Sequence, residues 1–414
     1  MVALVLHYRK VGRYGLNVVL GAVERDPRTA ALPATCAFGL EEAIAAARRA
    51  LQAGRRPVVG WSFMTASAGE VATELAAFRA ALPEPRVLHL AGGPHPSADP
   101  AGTLALGFDL AARGEGEGTL PDLLAALAAG EDPRRVAGLA WLEGGALRTS
   151  GRAAPVDLDA APPFAVRARR LGPIELTRGC VWGCAFCQTP FLFKARWRHR
   201  SLPAVRAAVE QLAAFDARDV RFLTPSALSY GSPDERPDLD AVEALLVTTR
   251  EAIGLQGRIF LGSFPSELRP EHVSPRALAL IRRHCANQGV ILGGQSGSDR
   301  LLAAMRRGHD AEAVRRAARL SLEAGLAPSV DFIFGFPDEQ EEDREATRAL
   351  ALELAGLGAR VHAHAFMPLP GTPWAAARPG TIDEPTRLLL DRLASSGRAY
   401  GAWRRQKTIA EPQI

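Results

Sequence analysis

The 414-residue chain is predicted to be an α/β protein, with an N-terminal Rossmann-like (flavodoxin-like) domain followed by a partial (β/α)6 barrel of the TIM type. Three observations carry this. Short apolar runs alternate with helical stretches over residues 1–125, the rhythm is lost over 126–165, and a second strand and helix series fills 166–375. A helix and polar tail are expected over 376–414.

Taken in order, ALVLHY, PVVGWSFM and RVLHLAGG read as strands, with LEEAIAAARRALQAG and AGEVATELAAFRAALP as helices between them. Strands separated by helices form βαβ units, and these place ligands over the carboxyl ends of a parallel sheet. RVAGLAWLEGGALRTSG reads as a small hairpin and PVDLDAAPPFA as a Pro-rich connector. The second series comprises PIELT, DVRFLT, RIFLGS, GVILGG, SVDFIFG and RVHAHAF, six strands whose reactive face lies at their carboxyl ends. The segment EPTRLLLDRLASSGRAYGAW reads as one closing helix.

Composition excludes several classes. The 50 basic and 45 acidic residues are interspersed, which describes a solvated surface and argues against a nucleic-acid partner. No apolar run approaches the roughly 18 residues of a membrane span. Only five cysteines occur, and three are clustered. That usage fits a reducing cytoplasm, where grouped thiols bind metal more readily than they pair.

The cluster is RGCVWGCAFCQ, in which Cys180, Cys184 and Cys187 follow the first barrel strand as CxxxCxxC. Structural zinc wants four ligands, commonly as two pairs, and no second pair exists. Ferredoxin spacings supply a fourth cysteine that is absent nearby. Three thiolates can instead hold three corners of a [4Fe-4S] cube and leave one iron open. With Phe186 before its last cysteine, the motif resembles the signature of the radical SAM enzymes, whose open iron takes the amino and carboxylate groups of S-adenosylmethionine (SAM). The resemblance implies cleavage of SAM to a 5'-deoxyadenosyl radical that abstracts hydrogen from an unactivated carbon, fed by an electron donor such as flavodoxin or ferredoxin.

Downstream motifs extend it. GGQSGSDRLLAAMRRGH (293 to 309) is similar to a stretch that contacts SAM in several branches, which makes Gln295, Ser296, Ser298 and Arg307 candidates; helix capping is the competing role of Ser298. VDFIFGFPDEQEED resembles the family's GxPGE turn with Asp338 in place of Gly, and HAFMPLPGTPW resembles its PxPGT loop. The family's GGE glutamate is missing from TPSALSYG, leaving the hydroxyls of Thr224 and Ser226 as candidates for the SAM amine. Ser263 and Glu267 in GSFPSEL are further candidates for SAM. RWRHRS leads to Ser201, a helix N-cap, and the lone Cys285 reads as a small buried residue.

The N-terminal domain resembles the cobalamin-binding domain that accompanies such barrels. The usual DxHxxG, SxL and GG elements correspond to HYRKVG (7 to 12), SFM (62 to 64) and GG (92 to 93). The resemblance assigns Arg9, Gly12, Ser62, Met64, Gly92, Gly93, His95 and Glu115 to the cobalamin site, with Glu115 and Glu117 of ARGEGEG capping a helix. Arg9 stands where the family has histidine. An arginine has no lone pair for cobalt, so cobalamin is expected base-off and without a histidine ligand.

Together these features imply a cobalamin-dependent radical SAM methyltransferase, moving a methyl group from SAM through methylcobalamin to an unactivated carbon, or to phosphorus, of a small molecule, lipid or peptide. A rearrangement, cyclisation or oxidation with the same cofactors is the alternative. An RNA methylthiotransferase is a third reading, but it would need three N-terminal cysteines, where only Cys36 stands, and an RNA-binding module for which 376–414 is too short.

Overall fold

The computed structural model describes residues 1–410 and divides the chain into two compact units, 1–172 and 173 onward. In the first unit the strands are β1 (Val2–Tyr8), β2 (Ala34–Phe38), β3 (Arg56–Ser62), β4 (Leu88–Gly92), β5 (Leu110–Ala112), β6 (Leu139–Glu143) and β7 (Ala146–Thr149). They form one sheet in the order β2-β1-β3-β4-β5-β6-β7, parallel through β5 and antiparallel beyond it. The 2-1-3-4-5 order is the flavodoxin-like one, and its crevice opens where β1 and β3 diverge. The hairpin β6 and β7 is formed as expected, but it extends this sheet instead of standing apart from it.

Alternation along each strand explains the two apolar layers. Val5 of β1 faces Trp61, Phe63, Phe78 and Phe108, while Leu4 and Leu6 face Leu16, Leu20, Leu120 and Leu124. The helices Leu40–Gln52 and Ala68–Ala81 supply the first layer, and Arg13–Arg25 and Gly116–Ala129 the second. A sheet covered on both faces requires such continuous apolar strands.

The second unit contains β8 (Ile174–Glu175), β9 (Thr177–Arg178), β10 (Arg198–His199), β11 (Asp219–Leu223), β12 (Arg258–Phe260), β13 (Gly289–Gln295), β14 (Ala327–Phe334), β15 (Arg360–Ala365) and β16 (Ala399–Tyr400). All six expected barrel strands are present. β8, β11 and β12 pair in parallel, as do β13, β14, β15 and β16. The two sets meet through the Leu268 to Leu292 bridge and the hydrogen bond from the Ile291 N–H to the Gly262 carbonyl. This is an open, partial barrel with helices outside it.

The C-terminal segment differs from the single helix expected. The helix Glu384–Ser395 ends before Gly397, whose φ of +72° is a left-handed stop, and Ala399–Tyr400 joins the sheet edge beside β15. A second helix, Trp403–Ala410, then packs on β15. Register pairing to an exposed edge outweighed the local helical pattern. No described helix is long and apolar enough to cross a membrane.

Candidate functional site

The three cysteines lie on the loop between β9 and the helix Gln188–Leu192. Its entry is fixed by Gly179 at φ +88°, where a Cβ would sit 1.8 Å from the Arg196 carbonyl oxygen. Cys184 is buried; Cys180 and Cys187 are half-buried. The loop is tied down by hydrogen bonds from the Ala185 N–H to the Met305 carbonyl (3.0 Å), from Gln188 Nε2 to the Pro370 carbonyl (2.9 Å) and from the Trp374 N–H to the Ala185 carbonyl (3.4 Å). PxPGT therefore closes on the cysteine loop, and its own turn is braced by Thr372 Oγ1 donating to the Leu369 carbonyl (2.8 Å). Phe186 enters the apolar cluster of Leu301, Leu302, Met305, Phe336 and Phe366.

Burial pushes the Cys180 thiol up to about 11, and raises Cys187 as well. Such thiols ionise fully only on a metal centre.

Next to the loop, Arg307 is buried; its Nη1 lies 3.6 Å from Cys184 Sγ and its Nη2 donates to the Gly293 carbonyl at 2.6 Å. The GG of β13 sits at a register shift between Leu292 and Gln295, and Gln295 adopts φ +72°. Glu267 neighbours this point; burial, then the Asp331 carboxylate, pushes its carboxyl up to about 7. Arg307 Nε and Trp182 Nε1 are buried here without a hydrogen-bond partner, and so is Ser263 Oγ three residues past β12. Orphaned donors around an open loop fit a polar ligand such as SAM.

Other candidates are engaged within the protein. Ser298 caps the helix Asp299–Ala304 through the Leu301 N–H and donates to Asp343, which also holds Arg300. Ser296 bonds Thr347 at 3.0 Å. Thr224 Oγ1 donates to the Ser226 carbonyl at 3.1 Å, and Ser226 Oγ pairs with Ser229 at 2.9 Å. Asp338 adopts φ +55°, so the turn keeps the left-handed residue that the family fills with Gly. Ser201 caps its helix as expected, and burial pushes Cys285 up to about 12.

Sequence reasoning passed over Arg269. It is buried with its guanidinium 3.6 Å from the Trp182 ring centroid, bonds Glu271 at 2.5 Å, and donates to the Arg307 carbonyl. No motif marks it, because only the fold brings it to the loop.

In the first unit, Gly12, Ser62 and Gly93 converge at the carboxyl ends of β1, β3 and β4. Gly12 has φ +84°, and a Cβ there would lie 2.9 Å from the Ser62 carbonyl oxygen. Gly92 is half-buried with no atom nearer than 3.8 Å to a Cβ built on it, and Met64, two residues past β3, is exposed. Arg9 pairs with Glu70 at 2.5 Å and Glu74 at 3.7 Å. His95 is buried and bonded to Thr65 Oγ1 at 3.1 Å. Glu115 is at the N-cap position of Gly116–Ala129, yet its side chain makes no cap bond; Oε2 accepts the Val156 N–H at 2.9 Å, which fastens the connector. The expected capping role is corrected to that tether. Gly12 and Gly93 let the turns after β1 and β4 close tightly on Ser62 and Phe63, while Gly92 has its neighbours only at ordinary contact distance.

Residues 174–351 match the Radical SAM superfamily model, and residues 10–124 match the B12 binding domain model. The chain thus carries a B12-binding domain followed by a radical SAM domain, and it spans about half the length of the curated relatives it matches. A tRNA-2-methylthio-N(6)-dimethylallyladenosine synthase of Chlorobium phaeovibrioides is 35% identical over 185 residues, covering 44% of this chain and 39% of that protein. The fold is similar to that of the radical S-adenosylmethionine methyltransferase TsrM from Kitasatospora setae, with a TM-score of 0.68 at 20% identity over 90% of this chain and 74% of that one. It is also similar to that of the cobalamin-dependent S-adenosylmethionine radical enzyme OxsB, with a TM-score of 0.65 at 15% identity over 96% and 55%.

Proposed function

We propose that the protein is a cobalamin-dependent radical SAM methyltransferase that moves a methyl group from SAM to an unactivated carbon, or to phosphorus, of a small molecule, lipid or peptide. Bound together, the cluster, SAM and cobalamin supply one-electron hydrogen abstraction and one-carbon transfer. Cys180, Cys184 and Cys187 would hold three irons of a cluster, and their loop carries no fourth thiol for the last. Arg307 places a permanent positive charge beside Cys184. Ser263, Glu267 and Gln295 offer polar contacts for SAM around it, while Phe186 and its apolar cluster exclude water. Gly12, Ser62, Gly92 and Gly93 admit the corrinoid at the crevice of the first unit.

The observation that carries the methyl-transfer reading is Arg9. It stands in the histidine position, is held by Glu70 and Glu74, and offers no lone pair, so a cobalamin bound there would take no ligand from this position. A cobalt without that ligand would suit one-carbon transfer. A cytoplasmic setting with a flavodoxin or ferredoxin as electron donor agrees with the clustered free thiols. The test uses the full chain with cluster and hydroxocobalamin, reductant and methyl-labelled SAM. Label on the isolated corrinoid is expected; no retained corrinoid, or an unlabelled one, sinks the reading.

Similarity to the tRNA methylthio synthase favours a second reading, sulfur insertion into RNA. Counting iron separates the two, at about four per chain for one cluster and about eight for two.

A further inference from the structure

β14 and β15 carry a second group of donors. Alternation places Val330, Phe332, Val361 and Ala363 fully buried on the face toward the helices Ala311–Glu323 and Glu341–Leu357, and leaves Asp331, His362 and His364 partly buried on the opposite, inner face. Asp331 and His362 are register partners on adjacent strands, with His364 two residues on. Asp331 Oδ1 lies 2.8 Å from His362 Nδ1, which lies 3.3 Å from His364 Nε2. All three atoms fall within 4.8 Å of one another.

Proton accounting is the first argument. His362 Nδ1 has one site for a proton and two neighbours that each carry or accept one, so protons alone leave one contact unsatisfied. A cation satisfies all three lone pairs. Metal bonds of about 2.1 Å at angles near 90–110° put neighbouring ligands roughly 3.0–3.4 Å apart, close to the spacing here.

Preorganisation is the second. The His362 ring stacks on Tyr400 at 4.4 Å between centroids and 11° between planes, and Tyr400 is fixed by Ser329 at 2.8 Å. Gln406 reaches the far nitrogen of His364 at 3.4 Å while its carbonyl accepts the Ala365 N–H at 3.0 Å. Ligating imidazoles are held from behind in this manner. Glu267 also senses the Asp331 carboxylate, so negative charge crowds this side of the barrel.

We propose that Asp331, His362 and His364 bind one divalent first-row transition cation through Oδ1, Nδ1 and Nε2. Two imidazoles and one carboxylate suit zinc or ferrous iron, with the remaining positions open to a substrate oxygen or nitrogen.

Zinc tests this in the full chain with its cluster in place, so that the cysteines are occupied. After chelator washing and equilibrium dialysis, one zinc per chain is expected by mass spectrometry. Asp331→Asn and His362→Asn should each weaken binding by more than about 100-fold, beyond the 10–100-fold loss typical of an outer partner. Iron content and circular dichroism report whether each variant folds; His364→Gln serves if either fails. Stoichiometric zinc lost in these variants supports the site. Absence of zinc from the wild type, or zinc retained undiminished in folded variants, overturns it.

Discussion

Cys184 is the most enclosed of the three thiols and the one that Arg307 approaches. Replacing it should remove a corner ligand and leave a buried guanidinium facing a void. Cys184→Ala is expected to lower iron from about four per chain toward none and to abolish the broad visible absorption of the cluster. Arg9 allows a sharper experiment. Arg9→His would restore an imidazole at the family position, and the bound corrinoid spectrum should move from the base-off to the histidine-ligated form. Arg9→Ala should leave the spectrum base-off, since no ligand is lost. Both residues were evident in the motifs. The ion pairs of Arg9 with Glu70 and Glu74 were not, because the partners lie on a helix sixty residues away whose register only packing fixes.

At the scale of an element, β1 buries His7 against Trp61, with ring centroids 4.2 Å apart. Burial, aided by the charge of Arg9, depresses the His7 pKa from 6.5 to about 4, and burial lowers His89 of β4 to about 4 as well. Between these values the unfolded chain binds protons that the native one refuses, so stability is full above about pH 6.5 and declines as pH falls toward 4. Chemical denaturation from pH 7 to 4 should show that slope, and His7→Phe should flatten it. The Gly12 turn after β1 makes a separate prediction. Gly12→Ala forces a Cβ against the Ser62 carbonyl at φ +84° and should cost roughly 1–3 kcal/mol in urea unfolding. Strands were legible from their apolar periodicity. The C-terminal helix was misread in its second half, because the two residues of β16 carry no period and gain their place only by pairing with β15.

For the whole molecule, iron and corrinoid stoichiometry define the class. One cluster predicts about four irons and one cobalamin per chain; a methylthio-type enzyme with two clusters would hold about eight irons. Among the described residues the first unit offers only Cys36, half-buried, whose thiol burial raises, and that favours four. Two-domain order, six barrel strands, the cysteine loop and the glycine turns of the first unit were all readable in the sequence, since each depends on local spacing or on a turn that only Gly tolerates. Whether a polar side chain was free for a ligand was not readable. Ser298 and Ser263 look alike in the sequence, yet Ser298 is consumed by a helix cap and Asp343 while Ser263 Oγ is left buried without a partner. Hydrogen-bond satisfaction is settled by which groups the fold brings within 3.5 Å, and that is a tertiary property. The sequence by itself determined the chemistry available to this protein, three thiolates and an arginine in place of an imidazole. The tertiary structure alone decided that Arg269 joins the cysteine loop and that Asp331, His362 and His364 share one inner face, because strand register converts positions far apart in the chain into neighbours.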